Sequence, residues 1–327
     1  MASSGDTTTC RLPLTSAMSR KLRVHSSAIH YFDMVRRCRS IREAARRLNV
    51  ASSAVNRQIL KLEDELGAPL FERLPGGLQL TSAGEVFARH VTVVLQDVER
   101  VSSELDAMAG IRTGHVEIAT VEGLTSDLLP CVLDALYARY PRVTVGVMTL
   151  GSQAVPEAIT SGAVDIGLAF GLQRHPDLQQ MRVGHFHVGA IMAPDHPLAS
   201  RTEVSFATCA EHRLILAKPD LSIHHLLSTL IRKTALPHKP ALETSSLELA
   251  RQLARRGAGI AFQTRIGIEA DLAAKTLIHL PLSDNGGLQS DLGVYVRNNR
   301  HLPVAVDAFV RALSEEITHR EGLLKQK

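Results

Sequence analysis

Apolar residues in the first quarter of the chain recur every three or four positions, which is the spacing of amphipathic helices. This pattern predicts three short helices over residues 26–66. The second begins at Ser40 with a Ser-x-x-Glu capping box, Asn49 marks the turn after it, and Gly67 ends the third. We therefore expect a helix-turn-helix, followed by a β-hairpin wing around residues 75–77.

The third predicted helix presents a polar and basic face beside its apolar stripe. A helix of this size fits the major groove of duplex DNA, where Arg57 suits a guanine or a phosphate and Asn56 suits a bidentate adenine contact. We expect Arg73, on the wing, to lie near phosphates, while Ser40 can cap its helix or receive a phosphate there. The candidate DNA-binding residues are Ser40, Ser52, Ser53, Asn56, Arg57, Lys61 and Arg73. A polar, solvated helix surface is the alternative.

Residues 82–110 carry apolar residues at alternating steps of four and three, which is a heptad seam. A second capping box, from Ser82 to Glu85, is predicted to open this helix, and Gly110 to close it. A helix of about 40 Å with one narrow seam is unstable alone, so we expect it to pair with its copy in a second chain. Packing onto its own head is the alternative. The predicted dimerisation residues are Phe87, Val91, Val94, Val98, Val101 and Leu105.

Strand and helix patterns alternate beyond residue 111. The order βαβαβ over residues 116–170 implies a parallel sheet, and a crossing strand at 188–193 leads into a second stretch of the same kind. The fold class is therefore α/β with two lobes and a cleft between them. The predicted division is a loose tail at 1–22, a winged helix-turn-helix at 23–81, a linker helix at 82–110 and a two-lobed domain at 111–327, with lobe 1 at about 111–190 and 291–320 and lobe 2 at about 195–285.

Ligands of open α/β sheets bind beyond the carboxyl ends of the strands, next to helix N-termini. Polar side chains at such points predict a site for a small, anionic metabolite. Each of them also suits a plain role as a helix cap or a solvated loop residue, which remains the alternative. The candidate effector-binding residues are Thr125, Ser126, Ser152, Gln153, Phe170, Ser222, Ser245 and Gln263.

Charge is distributed unevenly over the 327 residues, whose formal net charge is +4. Residues 1–81 carry 13 Lys and Arg against 7 Asp and Glu, whereas residues 82–327 carry 24 against 26. A basic head on a nearly neutral body is typical of a protein in which one part meets a polyanion. The charge therefore supports nucleic-acid binding by the head.

Several other classes of protein lack their signatures in this sequence. Four scattered cysteines form no CxxC pair, which excludes a disulfide framework or a zinc module and favours a reducing cytosol. No apolar run suggests a membrane span or a secretory signal. The sequence has no GxSxG or P-loop motif. The glycines at 257 and 259 lack the third glycine of a dinucleotide-binding fingerprint. The histidine pairs have no acidic or Cys residues at the spacing of metal ligands. We expect no enzyme activity, no cofactor and no metal.

Specific sequence runs in the head resemble the N-terminal signature of LysR-type transcriptional regulators. They are Ala44-Ala45-Arg46-Arg47-Leu48, Ala54-Val55-Asn56-Arg57-Gln58-Ile59, Leu62-Glu63, Leu66-Gly67, Leu70-Phe71-Glu72-Arg73 and Leu80-Thr81-Ser82-Ala83-Gly84. The runs Ala138-Arg139-Tyr140-Pro141 and Gly162-Ala163-Val164-Asp165-Ile166-Gly167 resemble that family's effector domain, which is similar in fold to type 2 periplasmic binding proteins.

This resemblance implies a cytoplasmic regulator that binds promoter DNA as a homodimer or homotetramer and responds to an effector between its lobes, most firmly at Ser152. It leaves RNA polymerase open as a further partner. The sequence has Ser52 where the family usually has Gln, and Asn56 where the family has Ser, so base preference does not transfer. A solute-binding receptor and an α/β enzyme without DNA binding are the alternatives.

Overall fold

The computed structural model describes residues 25–108, 113–234, 239–298 and 301–325, so the predicted tail at 1–22 lies outside it. The helices are α1 Ser27–Cys38, α2 Ile41–Leu48, α3 Ser52–Leu66, α4 Ser82–Met108, α5 Leu128–Arg139, α6 Val155–Thr160, α7 Phe206–Ala210, α8 Ser222–Lys233, α9 Leu247–Arg255, α10 Glu269–Ala273 and α11 Val304–Lys325. The strands are β1 Phe71–Leu74, β2 Gly77–Leu80, β3 Thr113–Thr120, β4 Arg142–Thr149, β5 Ile166–Phe170, β6 Leu178–Met192, β7 Ile215–Ala217, β8 Leu242–Thr244, β9 Ala261–Thr264, β10 Ile278–Pro281 and β11 Gln289–Arg297.

The head consists of α1, α2, α3 and the β1–β2 hairpin around one small core. Phe32, Ala45 and Val55 are fully or almost fully buried in this core. Asn49 and Gly67 both adopt left-handed backbone, with φ of 56° and 67°, and so end α2 and α3 as the sequence indicates. The predicted helix-turn-helix and wing are therefore present in the described head.

Two helix caps differ from the predicted capping boxes. Ser40 accepts a hydrogen bond from the Glu43 amide at 3.3 Å, but the Glu43 carboxylate binds Arg46 and Arg47 on its own helix. The cap of α4 is Thr81, whose Oγ1 accepts from the Gly84 amide at 3.0 Å. The Thr81 hydroxyl also donates to the Pro69 carbonyl at 2.6 Å, which holds it in place and leaves Ser82 as the first helical residue.

The 27-residue helix α4 uses part of its heptad seam within its own chain. Phe87 packs edge-on against Phe32, with ring centroids 4.9 Å apart, and Val91 is fully buried in the head core. Val101 and Leu105, farther along the helix, are 37% and 52% exposed. The start of the seam, at Phe87 and Val91, therefore packs onto the head of its own chain, which was the alternative to pairing with a second copy.

The main sheet of the body has the order β10-β6-β11-β5-β3-β4, with β9 also paired to β6, and β7 and β8 form a separate parallel pair. Strand β3 runs parallel to β4 and β5, as the βαβαβ pattern predicts. The strand predicted at 188–193 is only the second half of β6, which pairs with β11 over residues 178–187 and with β9 and β10 over residues 188–192. One long strand thus runs through both lobes.

Each lobe has its own apolar core. The first is centred on Ile118, Leu128 and Phe309, the second on Phe206 and Leu227. Strand β11 and helix α11 complete the first core, so the end of the chain returns to lobe 1. Within the described ranges, the helices are all too short or too polar to span a bilayer.

The head also touches lobe 1 of the same chain. Gly162, in the turn after α6, has φ of +72°, and a Cβ added there would lie 2.2 Å from Cγ2 of Thr92 on α4. The Arg36 guanidinium donates to the neighbouring Ser161 carbonyl at 3.4 Å. Glycine is therefore needed at 162 both for its backbone and for close packing.

Candidate nucleic-acid interface and interlobe cleft

Helix α3 turns its polar face outward. Val55 and Ile59 are buried on the inner side, while Ser52, Ser53 and Arg57 are exposed. The remaining α3 candidates differ slightly: Asn56 is half-buried, and Lys61 is exposed and lies 3.6 Å from Glu65. The outward face is therefore short, polar and accessible over two turns.

The wing is fixed to the helices beside it. The Leu78 amide donates to the Arg39 carbonyl at 2.9 Å, and a Cβ on Gly77 would lie 2.8 Å from the same oxygen. The Glu63 carboxylate, on α3, accepts from the Leu70 amide at 2.7 Å. Arg73 is exposed on β1, so its guanidinium extends from a hairpin tied to both α1 and α3. Sequence reasoning missed the Glu63 contact, because only the folded chain brings these groups together.

The N-terminus of α2 has its own electrostatic arrangement. Ser40 is half-buried, and its hydroxyl accepts from the backbone rather than from solvent. Arg46 and Arg47 hydrogen-bond Glu43 and lower the pKa of this carboxyl to about 2. The carboxylate therefore stays charged and neutralises part of the basic surface near Ser40.

The candidate effector residues fall into two groups. Three have structural partners within lobe 1: Ser152 is buried and its Oγ accepts from the Phe170 amide at 3.2 Å, and Thr125 donates to the Glu122 carbonyl at 2.7 Å. Gln153 is exposed in the short turn that precedes α6. These positions lie at the carboxyl ends of β3, β4 and β5, as the sheet rule predicts.

In the second group, Ser126 and Gln263 lie between the lobes, whereas Ser222 and Ser245 lie within lobe 2. Ser126 donates to the Gly267 carbonyl at 3.3 Å and accepts from the Arg251 guanidinium at 3.0 Å. Gln263 is buried on β9, and its Nε2 lies 3.6 Å from where a Cβ on Gly123 would be. Of the remaining two, Ser245 donates to the Asp220 carboxylate at 2.9 Å, and Ser222 is the first residue of α8. The lobes are thus in direct contact at one end of the cleft.

Glu122 is a cleft residue that the sequence reasoning missed. Its Oε1 accepts from the Ser246 hydroxyl at 2.8 Å, and its Oε2 accepts from the Leu247 amide at 2.6 Å. Both donors belong to the N-terminus of α9 in lobe 2, whereas Glu122 follows β3 in lobe 1. Its position just beyond a strand end was the available signal, since the polar residues after it were selected on that basis.

A buried charge cluster also joins the lobes. Arg320, only 6% exposed, lies 3.3 Å from Asp127, 2.8 Å from Glu269 and 2.7 Å from Glu316. Burial raises the pKa of Glu269 to about 7, and its hydrogen bond with Asp127 acts in the same direction. Burial also opposes charge on Asp127, but hydrogen bonds from Glu269 and Arg320 lower its pKa overall. Of the two carboxyl groups, Glu269 therefore has the higher pKa and Asp127 the lower.

Two family models match the chain in the same order as these parts. Residues 26–85 match the bacterial regulatory helix-turn-helix protein of the lysR family, and residues 109–318 match the LysR substrate binding domain. The chain belongs to the LysR family. Its fold class, a winged helix-turn-helix followed by a two-lobed α/β domain, is confirmed. It is a DNA-binding transcriptional regulator and not an enzyme.

Curated relatives and solved structures agree with this family. The chain is 28% identical over 292 residues to the transcriptional regulator CbbR of Rhodospirillum rubrum, covering 88% of this chain and 95% of that one. A full-length OxyR variant of Pseudomonas aeruginosa is similar in fold, with a TM-score of 0.70, 18% identity and coverage of 90% and 95%. Full-length CbnR, complexed with its target DNA, has a TM-score of 0.56 and 19% identity, with coverage of 89% and 99%.

The histidine pairs singled out in the sequence lie in ordinary surroundings. Over the described ranges, the His, Cys, Asp and Glu side chains form no group of three that could hold a metal ion. His185 instead lies 2.8 Å from the Asp291 carboxylate, and the side chain of His224 contacts the Ala217 carbonyl at 2.8 Å. These histidines have ordinary hydrogen-bond partners.

Proposed function

We propose that this regulator binds the bases of duplex operator DNA with the outer face of α3, while the wing and the N-terminus of α2 contact phosphates. The observation that carries the proposal is the exposure of Ser52, Ser53 and Arg57 on one side of a helix whose other side is buried. The wing supports it, because backbone hydrogen bonds to α1 and side-chain bonds to α3 hold Arg73 at a fixed distance from that face. The proposed contact residues are Ser40, Ser52, Ser53, Asn56, Arg57, Lys61 and Arg73.

We further propose that α4 forms the interface between two copies of the chain. Val101 and Leu105 are 37% and 52% exposed on the seam of this helix, and Val86 and Val93 are 60% and 51% exposed on the face beside it. Val94, Val98 and Val101 continue the seam beyond the part that the head covers. Burying this stripe in a second copy would place two recognition helices on successive half-sites of DNA.

The interlobe cleft is proposed as the effector site, with lobe 1 at about 111–190 and 291–320 and lobe 2 at about 195–285. The candidate residues at the strand ends of lobe 1, the hydrogen bond of Ser126 across the cleft and the position of Gln263 beside Gly123 support this assignment. A ligand changes how the paired heads sit on DNA only if it binds the two arrangements with different affinity. The proposed effector residues are Thr125, Ser126, Ser152, Gln153, Phe170, Ser222, Ser245 and Gln263.

A regulator of promoters acts where the chromosome is, so we propose a cytoplasmic location, with RNA polymerase as a further partner. A gel shift on the DNA that flanks the protein's own gene tests the regulator function. We expect a retarded complex that survives an excess of random competitor. A complex that random DNA removes at the same concentration would favour a solute-binding receptor or another two-lobed protein instead.

A further inference from the structure

The N-terminus of α9 is already occupied by a carboxylate of the same chain. Ser246 caps this helix by accepting from the Leu249 amide at 3.1 Å, and it donates its own proton to Glu122. The Leu247 amide, one of the unpaired donors of the first turn, completes the contact at 2.6 Å. Glu122 therefore makes the two hydrogen bonds that a bound anion would make at this end of the helix.

This contact joins two lobes rather than two parts of one lobe. Glu122 lies in the turn after β3, beside Gly123, and a Cβ on Gly267 of lobe 2 would lie 2.0 Å from the Gly123 carbonyl oxygen. With side chains absent at both glycines, the backbones approach closely enough for Glu122 to reach α9. The geometry is that of an internal ligand that holds the cleft together.

A second feature indicates that the same place accepts a ligand. Gln263 is 6% exposed, its side-chain amide has no hydrogen-bond partner within the described ranges, and it points toward Gly123. This amide is not among the sealed, unsatisfied side-chain atoms of the described residues, so it remains accessible to a ligand that enters the cleft. An effector with an anionic group on α9 would be able to satisfy the Gln263 amide as well.

We propose that Glu122 is a resident anion, and that the anionic group of the effector displaces it from the N-terminus of α9. This inference rests on the proposed effector cleft. It specifies an anionic ligand and the contact between the lobes that the ligand replaces. The two carboxylates compete for the same donors on Ser246 and Leu247. Effector binding therefore exchanges a bond between the lobes for a bond to the effector, and releases lobe 1 from lobe 2 at this point.

The competition makes a quantitative prediction for a simple probe. A tethered carboxylate that leaves these donors free in about one molecule of ten weakens a competing anion by about tenfold, so its removal tightens the binding of a free anion by that factor. We would titrate malonate into the full-length protein and into its Glu122→Ala variant by isothermal calorimetry at constant ionic strength. Malonamide, which is similar in size but uncharged, measures binding that does not depend on charge.

The expected result is malonate binding about tenfold tighter in Glu122→Ala than in the parent, and little difference for malonamide. Adding Ser246→Ala to Glu122→Ala should abolish the gain, because the hydroxyl donor is lost. Glu243→Ala removes an exposed carboxylate from the same lobe and should leave the affinity unchanged. If Glu122→Ala is too unstable to titrate, Glu122→Gln keeps the size of the side chain and should give a smaller gain in the same direction.

Equal malonate affinity in the parent and in Glu122→Ala or Glu122→Gln would overturn the inference, as would the absence of malonate binding in all of them. The same preparations would be tested by gel shift on operator DNA. Specific retardation there distinguishes a missing Glu122 competition from a failure of the proposed regulator function. A protein that binds its operator normally but shows no competition loses the Glu122 switch and keeps the regulator assignment.

Discussion

Replacing Glu269 by Gln should make the stability of this regulator less dependent on pH. Glu269 lies 2.8 Å from an Arg320 nitrogen, and burial raises its pKa from 4.5 to about 7. The folded protein therefore binds this proton more tightly than the unfolded chain does. The resulting stabilisation is fully present below pH 4.5 and is lost as the pH rises through about 7.

The magnitude follows from the difference between the two pKa values. A shift from 4.5 to about 7, at about 1.4 kcal/mol for each pH unit, corresponds to about 3 kcal/mol. Gln resembles the protonated carboxyl in shape and stays neutral at every pH. Because Asp127 and Glu316 still pair with Arg320 in Glu269→Gln, no charge is left alone by the substitution.

Thermal denaturation of the parent and of Glu269→Gln at pH 5, 6, 7 and 8 checks this reasoning. The variant should be more stable than the parent by less than about 1 kcal/mol at pH 5 and by up to about 3 kcal/mol at pH 8. Glu315→Gln, an exposed change on α11, serves as the control and should run parallel to the parent. An equal loss of stability at pH 5 and at pH 8 in Glu269→Gln would refute the account, because it would mean that the charged form is the native one.

Three other experiments test particular contacts. Leu105→Asp, on the exposed end of α4, should yield monomers in sedimentation, and unchanged assembly would remove this part of α4 from the interface. Gly162→Ala and Gly257→Ala both place alanine at φ of +72°, which costs about 1 kcal/mol. Only the alanine at 162 also clashes with α4, so denaturant unfolding should show a further loss of stability of about 1–3 kcal/mol for Gly162→Ala. Equal losses in the two variants would contradict the packing of the head on the body. Thr81→Ala should lower the free energy of unfolding by about 1 kcal/mol, and Ser82→Ala should leave it almost unchanged. A larger loss for Ser82→Ala would mean that Ser82 caps α4, as the sequence predicts.

Local periodicity was sufficient to predict most of the head. The buried side of α3 follows from the spacing of Val55 and Ile59, and its end follows from Gly67, because these features depend on residues a few positions apart. Heptad spacing could not separate contacts within the chain from contacts between chains. Phe87 and Val91 have the same period whether Phe32 or a second copy covers them.

Contacts between distant segments were beyond the reach of sequence patterns. Glu122 meets Ser246 across 124 positions of the chain, and Arg320 meets Asp127 across 193. The first half of β6 was missed because its exposed polar residues, such as Gln179 and Gln180, interrupt the apolar run used to identify buried strands. The strand-end rule selected mainly hydroxyls and overlooked the carboxylate at Glu122.

The central claim, that the outer face of α3 distinguishes one DNA sequence from another, is tested most directly by comparing Arg57→Ala with Arg73→Ala. Affinities for the operator and for a scrambled duplex would be measured for both variants and the parent over a range of salt concentrations. We expect Arg57→Ala to lower the ratio of specific to nonspecific affinity by about 1–3 kcal/mol, and Arg73→Ala to weaken both duplexes equally and to reduce the salt dependence by about one charge. A specificity ratio for Arg57→Ala equal to that of the parent would contradict the claim.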